Sequence, residues 1–188
     1  MAEMILFHHA QGRTPGVVAF AEALRAHGHR VSVPDLYDGA TFATVEEGVA
    51  HAEQIGFETI IARGVAAAEP LRPGLVYAGF SLGVLPAQKL AQTVDGCKGA
   101  ILYHSGVPPA TFGTAWPRGV PLQVHVMEDD PWGEVDVIQE LVSAVPGAQL
   151  FLYPGSAHLF TDSSLAEYDE EATRLVLDRT LDLLSRVD

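Results

Sequence analysis

A serine lies at the centre of the pentapeptide Gly79-Phe80-Ser81-Leu82-Gly83, between an apolar run and a helix-like run. A Gly-x-Ser-x-Gly sequence at a strand-to-helix junction is typical of a nucleophile elbow, a turn so tight that small residues must flank the serine. The turn presents the serine hydroxyl outward, where it can attack a carbonyl carbon. The pentapeptide alone is a weak signal, so the prediction depends on residues that could activate the serine.

An aspartate and a histidine follow Ser81 in the order that α/β-hydrolases use. Asp130 comes just after the apolar run from 121 to 127, and His158 comes just after the run from 150 to 153. Each candidate therefore follows the C-terminal end of a predicted strand. Because the strand ends of a parallel sheet meet at one edge, we expect the three side chains to converge there.

The chemistry expected of this trio is nucleophilic catalysis. A serine hydroxyl is a weak nucleophile near neutral pH, so a general base must accept its proton during attack. His158 is the predicted base, and a carboxylate on its far ring nitrogen would fix the tautomer. Asp129 and Asp130 are both candidates for that carboxylate. Asp130 is preferred because Pro131 follows it and restricts its backbone to extended conformations.

The attack also creates an oxyanion, which needs two hydrogen-bond donors. The backbone N–H of Leu82 is one predicted donor, because it follows the nucleophile at the positive end of a helix. The second should come from the loop after the first strand, residues 8–12, where small residues let a backbone amide face the site. Ala10 is the predicted donor, and Gln11 is the alternative.

Several residues beside these loops are candidates for a substrate pocket. Gln11 lies in the first loop, and the aromatic side chains of Phe80, Trp116, Trp132 and Phe160 adjoin loops or the elbow. Large apolar side chains commonly line small-molecule sites. Each aromatic residue is equally compatible with a place in the core.

Histidines near strand ends raise the question of a metal site. His8, His9, His104 and His158 all fall there, but their spacing matches no known zinc-binding motif. The prediction is therefore that the protein uses no metal.

Composition limits the possible partners. The chain has 188 residues, 48% hydrophobic and 19% charged, with a formal net charge of −13. This length fits one domain, residues 1–188. A strongly negative protein repels phosphate backbones, so nucleic-acid binding is not expected. The predicted partner is a small-molecule ester or lactone, and nothing in the sequence indicates an oligomeric state.

The expected location is cytoplasmic. Cys97 is the single cysteine, which excludes an intrachain disulfide and fits a reducing compartment. The apolar stretch from 4 to 7 is too short for a signal peptide or a membrane span, so no membrane association is predicted.

Short apolar runs alternate with helical periods along the chain, which predicts an α/β fold of about six mostly parallel strands with helices on both faces. The predicted strands lie near 4–8, 30–34, 74–78, 99–103, 121–127 and 149–153. The predicted helices lie near 15–27, 53–69, 83–94, 133–144 and 164–185. Two longer stretches, 35–52 and 105–119, are predicted as loops that shape the ligand site.

The motifs together resemble the dienelactone hydrolase family of α/β-hydrolases, and the resemblance runs nearly end to end. It rests on His8-His9-Ala10-Gln11-Gly12, Val33-Pro34-Asp35-Leu36-Tyr37, the elbow from Gly79 to Gly83, Glu128-Asp129-Asp130-Pro131, and Gly155-Ser156-Ala157-His158-Leu159-Phe160. The resemblance implies a compact α/β-hydrolase fold without the first strands of larger relatives. It also implies a triad of Ser81, Asp130 and His158 that works without a cofactor.

Three positions differ from what the resemblance implies. The namesake enzymes have a cysteine nucleophile where this chain has Ser81, which favours ordinary esterase chemistry. They have a glutamate where His9 stands, and an arginine that holds the substrate carboxylate where Asp162 stands. An aspartate in the pocket would repel an anionic substrate. The prediction is therefore a hydrolase of neutral or cationic small esters, thioesters or lactones.

Two alternatives to this hydrolase share its fold. One is a catalytically silent binding domain, since a fold does not by itself determine function. The other is a peptidase on the same scaffold. The retained Ser81, Asp130 and His158 argue against the silent domain.

Overall fold

Six parallel strands form the centre of the computed structural model, which describes residues 1–71 and 73–187. Except for β2, the strands are short apolar runs, and their order across the sheet is β2-β1-β3-β4-β5-β6. Their bounds are β1 Glu3–Phe7, β2 Arg30–Ser32, β3 Val76–Phe80, β4 Gly99–Tyr103, β5 Leu122–Met127 and β6 Gln149–Tyr153. All of these strand pairs are parallel, so the C-terminal ends of the strands lie on one edge of the sheet.

In the part of the chain that the structure describes, six α-helices cover the two faces of the sheet, because strands that are apolar on both sides must be buried on both sides. Their bounds are α1 Pro15–Ala26, α2 Val45–Ile55, α3 Phe57–Ala68, α4 Val84–Thr93, α5 Val135–Ala144 and α6 Glu170–Arg186. Short 3-10 segments occur at Glu69–Leu71, Ser81–Gly83 and Pro109–Phe112.

Alternate residues of β1 point into two separate cores. Ile5 and Phe7 pack with residues of α2, α3, α4 and α5, whereas Met4 and Leu6 pack with residues of α1 and α6. All four side chains are fully buried. The architecture is the α/β fold of six parallel strands with helices on both faces that the alternation of elements predicts.

The segment between β2 and β3 differs from the prediction. The predicted helix at 53–69 is two helices that meet at Gly56, whose φ of 89° is in the left-handed region that favours glycine. The predicted loop at 35–52 contains most of α2. Thr44 caps this helix by accepting a hydrogen bond from the Glu47 N–H, and the Glu47 carboxylate accepts one from the Ala43 N–H. This reciprocal pattern is a helix start that hydrophobic periodicity alone does not reveal.

The last helix begins later than predicted, at Glu170, where the Asp169 side chain caps it by accepting from the Ala172 N–H. Residues 164–169, predicted as the start of this helix, therefore belong to the long loop of residues 154–169 that follows β6. Within the described ranges, no helix combines the length and the apolar character needed to cross a membrane.

Candidate active site

Ser81 directly follows β3 and has a φ of 48°, the left-handed conformation that costs a residue with a side chain of order 1–3 kcal/mol. The flanking glycines are required by close approaches of the backbone. A Cβ added to Gly79 would lie 2.1 Å from the Gly83 carbonyl oxygen, and one added to Gly83 would lie 2.5 Å from the Phe7 carbonyl oxygen. The turn therefore has the strained geometry of a nucleophile elbow, and it lies against the end of β1.

Ser81, His158 and Asp130 form one chain of hydrogen bonds. The distance from Ser81 Oγ to His158 Nε2 is 2.7 Å, and the distance from His158 Nδ1 to Asp130 Oδ2 is 2.8 Å. Asp130 is 6% exposed and also accepts a hydrogen bond from the Trp132 N–H through Oδ1. Because an ionised carboxylate only accepts, the proton of His158 lies on Nδ1. Nε2 is then free to accept the proton of the serine hydroxyl.

The loops that follow β5 and β6 hold the acid and the base together. Backbone pairing continues past both strands, because the Glu128 N–H donates to the Tyr153 oxygen and the Asp129 N–H donates to the Gly155 oxygen. Asp129, the alternative carboxylate of the sequence analysis, is exposed, whereas Asp130 faces His158.

The loop of residues 8–12, which follows β1, is held by two buried histidines. The Leu36 N–H donates to His8 Nε2, so His8 carries its proton on Nδ1 and donates it to the His9 carbonyl oxygen. Burial lowers the pKa of His8 to about 4, which keeps the ring neutral. The Gly12 N–H donates to the same His9 oxygen.

Because a trans peptide directs its N–H away from its carbonyl oxygen, these two bonds orient the Ala10 N–H to the opposite side of the peptide. In the described part of the chain this N–H has no acceptor, whereas the Gln11 N–H donates to His9 Nδ1. Of the two candidates for the second oxyanion donor, Ala10 is therefore the one with an unused amide. Leu82, the first candidate, lies in the 3-10 turn that leads into α4, where the first amides lack partners within the helix.

A cavity of about 430 Å³ opens beside His158, and its walls come from three loops and the start of α2. Trp132 is 40% exposed in this wall, and its ring centroid lies 6.3 Å from that of His158. Gln11 also lines the cavity, and its side-chain amide donates to the Phe42 and Ala43 carbonyl oxygens. Both residues are among the predicted pocket residues.

Three other predicted aromatic residues lie in the core. Phe80 stacks on Tyr103 with ring centroids 4.7 Å apart, and Phe160 packs edge-on against His104 at 4.8 Å. Trp116 is buried in the core cluster on the other face of the sheet. The structure therefore corrects the expectation that Phe80 and Phe160 line the substrate pocket, since both are almost fully buried and pack with α1 and α6 residues.

Asp162 is a further correction, because its carboxylate lies beneath the loops rather than in the cavity. It is 2% exposed and accepts hydrogen bonds from His9 Nε2 at 2.8 Å, from the Thr14 hydroxyl, and from the Ser164 N–H and hydroxyl. Burial alone would raise the pKa of Asp162, but the hydrogen bonds outweigh burial and hold the pKa at about 2. Asp162 is not among the residues that line the cavity, so its carboxylate does not contact a substrate there.

The carboxylates that do line the cavity are Glu46 and Glu167, which the sequence analysis missed. Both are exposed. Glu46 lies in the first turn of α2, within a stretch predicted as a loop, and Glu167 lies in the loop after β6, within a stretch predicted as a helix. Recognising the capping residues of these two helices would have placed both side chains near the strand ends.

Cys97 and His104 are not part of the hydrogen-bond chain of Ser81, His158 and Asp130. Burial raises the pKa of the Cys97 thiol to about 12, so this thiol is protonated near neutral pH and is a poor nucleophile. His104 is fully buried beside His158, and its Nε2 lies 2.7 Å from the Thr161 hydroxyl. Among the residues that the structure describes, no three side chains of His, Cys, Asp or Glu are grouped so that they could hold a metal ion.

Comparisons with known proteins place this chain in a family. The sequence profile of the dienelactone hydrolase family matches residues 2–187. No curated protein sequence is significantly similar to the chain.

Among solved structures, a dienelactone hydrolase-like promiscuous phosphotriesterase from metagenomic libraries is similar with a TM-score of 0.78 and 19% identity, over 100% of this chain and 87% of that one. A dienelactone hydrolase from Anabaena variabilis has a TM-score of 0.70 and 17% identity, over 98% and 87% of the two chains. An esterase from Thermogutta terrifontis, solved with propionate, has a TM-score of 0.75 and 13% identity, over 99% and 83%. At these identities the similarity concerns the fold.

Proposed function

This chain belongs to the dienelactone hydrolase family and is a hydrolase, and we propose that it cleaves small carboxylic esters, thioesters or lactones through an acyl-enzyme at Ser81. The observation that carries the proposal is the continuous hydrogen-bond chain from Ser81 Oγ through His158 to Asp130. The strained φ of Ser81 supports it, because strain of this kind is concentrated at functional sites.

In the proposed first half-reaction, Ser81 Oγ attacks the carbonyl carbon of the substrate while its proton moves to His158 Nε2. The carbonyl oxygen becomes an oxyanion, which accepts hydrogen bonds from the Leu82 and Ala10 N–H groups. The bond to the leaving group then breaks, and His158 returns the proton to the departing alcohol or thiol. The acyl group remains on Ser81 as an ester.

In the second half-reaction, water attacks the acyl carbon and gives its proton to His158. The new oxyanion collapses, Ser81 Oγ leaves with the proton from His158, and the carboxylic acid is released. Asp130 stabilises the imidazolium form of His158 in both halves and stays ionised throughout. No step needs a metal or an organic cofactor.

The cavity favours substrates without a free carboxylate. Glu46 and Glu167 lie in its wall, and none of the described residues that line it is a lysine or an arginine. A carboxylated acyl group would approach two like charges with no opposite charge to bind it. We therefore propose neutral or cationic esters as the substrate class. The residues that would repel an anionic substrate are therefore Glu46 and Glu167 rather than the predicted Asp162.

The test is the turnover of p-nitrophenyl acetate, a thioester, a neutral lactone and an amide by the wild type and by Ser81→Ala. We expect turnover of at least one ester or thioester and a loss of up to ~10⁶-fold in Ser81→Ala, since triad residues act as a unit. A wild type that hydrolyses only the amide would support the peptidase alternative. More than about a tenth of the activity in Ser81→Ala would contradict the mechanism, since such losses in serine hydrolases are far larger.

A further inference from the structure

A second histidine–aspartate pair lies beside the triad. His9 Nε2 is 2.8 Å from Asp162 Oδ2, and both side chains are almost completely buried. The Gln11 N–H donates to His9 Nδ1, and because a backbone N–H can only donate, Nδ1 carries no proton. His9 is therefore a neutral imidazole that donates from Nε2 to the Asp162 carboxylate. The proposed mechanism assigns no proton transfer to this pair.

The pair connects the two loops that the reaction needs. His9 immediately precedes Ala10, the candidate oxyanion donor, in the loop of residues 8–12. Asp162 is in the loop after β6, which carries His158, and its N–H donates to the Leu159 oxygen in a turn next to that histidine. A hydrogen bond between residues 153 positions apart in the sequence thus fixes one loop against the other.

Asp162 is itself rigidly held, which makes it a suitable anchor. The Thr14 hydroxyl at the N-terminus of α1 donates to Oδ2, and the Ser164 N–H and hydroxyl donate to Oδ1. A negative charge at this end of α1 is also favoured by the helix dipole. A Cβ added to Gly16 would lie 1.6 Å from Asp162 Oδ1, so α1 packs directly on the carboxylate.

The other side of the 8–12 loop is attached to the residues before α2. The Phe42 N–H donates to the Gln11 oxygen, and the Gln11 side chain donates to the Phe42 and Ala43 oxygens. These bonds hold Gln11 but do not contact His9. The bonds from His8 Nδ1 and the Gly12 N–H to the His9 oxygen orient the peptide between His9 and Ala10 within its own loop. The bond from His9 to Asp162 then holds this loop against the one that carries His158.

We propose that His9 and Asp162 are positioning residues that hold the Ala10 N–H in place, relative to His158, for the developing oxyanion. The inference rests on the proposed function. An interaction that is needed only in the transition state lowers kcat and leaves KM nearly unchanged when it is lost. Neither residue contacts the substrate, so the shape of the pH profile should stay that of the wild type.

His9→Leu is the direct test, because Asp162 keeps its bonds to Thr14 and Ser164 and the variant can fold. We expect kcat for p-nitrophenyl acetate to fall roughly 10- to 100-fold, as for a small misplacement of a catalytic group, with KM unchanged. His9→Gln retains a donor for Asp162 and should lose less. Thr180→Val is the matched control, because it removes a buried hydrogen bond, to the Tyr103 hydroxyl, in which neither the 8–12 loop nor the loop after β6 takes part.

Amide hydrogen exchange gives a readout that does not depend on turnover. Exchange at residues 8–12 should accelerate in His9→Leu and in Asp162→Asn but not in Thr180→Val. If kcat in His9→Leu matches that of Thr180→Val, the pair has no positioning role and the inference is overturned. A wild type without turnover, in which no fluorophosphonate reacts with Ser81, would instead refute the proposed function and this inference with it.

Discussion

At the scale of single residues, the choice between Asp129 and Asp130 is the sharpest test of the triad. Asp130→Asn should lower kcat by ~10³–10⁴-fold, because an amide on His158 Nδ1 favours the tautomer that cannot accept the serine proton. Asp129 is exposed, so Asp129→Asn should stay close to the wild type. The measurement is the steady-state kcat of both variants and of the wild type on one neutral ester. A larger loss in Asp129→Asn would contradict the assignment.

The residues of the proposed triad follow from chain order and strand ends, and the structure brings together the three that the sequence singles out. Asp162 could not be placed in this way, because its environment depends on His9, Thr14 and Ser164, which are distant in sequence or belong to a loop predicted as helix. A family resemblance indicates which residue stands at a given position. The direction in which the buried side chain of Asp162 points is determined by its hydrogen bonds. The same limit explains why Phe80 and Phe160 are core residues rather than pocket residues.

At the scale of elements, the start of α2 and the loop after β6 form the acidic wall of the cavity. The β-strands are predictable within a few residues because all of them except β2 are apolar runs with turn residues at their ends. The start of α2 was missed because its signal is the capping pair Thr44 and Glu47, within a stretch that has few apolar side chains. Because Glu46 is in the first turn of α2, its place in the cavity wall could not be predicted without the start of this helix.

Substrate charge selectivity is the prediction that belongs to these elements. A matched pair of esters, p-nitrophenyl butyrate and mono-p-nitrophenyl succinate, differs by one carboxylate in the acyl group. The wild type should have the higher kcat/KM for the butyrate. Glu46→Gln and Glu167→Gln should each lower the ratio of kcat/KM for the butyrate to kcat/KM for the succinate, because each removes one negative charge from the cavity wall. The change should be at most ~5-fold, because exposed charges interact through a high dielectric.

Added salt should narrow the same ratio by screening the exposed carboxylates. Glu58→Gln is the control, since Glu58 is an exposed carboxylate on α3 outside the cavity wall. Faster wild-type turnover of the succinate would show that the acidic wall does not set the substrate class.

At the scale of the whole molecule, buried neutral histidines make stability depend on pH. Burial lowers the pKa of His8 to about 4, that of His125 to about 3 and that of His104 well below the ordinary value, and nearby Arg179 adds to the effect at His125. In the unfolded chain these rings take up protons near pH 6.5, whereas in the folded protein they do not. Their contribution to stability is therefore complete above about pH 6.5 and is lost as the pH falls towards the folded-state pKa values.

The free energy of unfolding should thus decrease steeply on acidification below about pH 6.5, by about 1.4 kcal/mol per pH unit for each such histidine. His125→Gln removes one of these groups and should reduce the slope by about that amount. Thr180→Val removes a buried hydrogen bond but no histidine, so it should lower the free energy of unfolding at every pH without changing the slope of its fall on acidification. Urea unfolding at a series of pH values measures both. Equal slopes in His125→Gln and the wild type would contradict the account.

The central claim is that Ser81 becomes acylated during turnover, and intact-mass analysis tests it most directly. The protein is mixed with p-nitrophenyl acetate, quenched in acid within the first turnovers, and digested to locate the modification. We predict one acetyl group per chain on the peptide that contains Ser81, and none in Ser81→Ala. Turnover without an adduct on Ser81, or an acetyl group at another residue that persists in Ser81→Ala together with activity, would contradict the account.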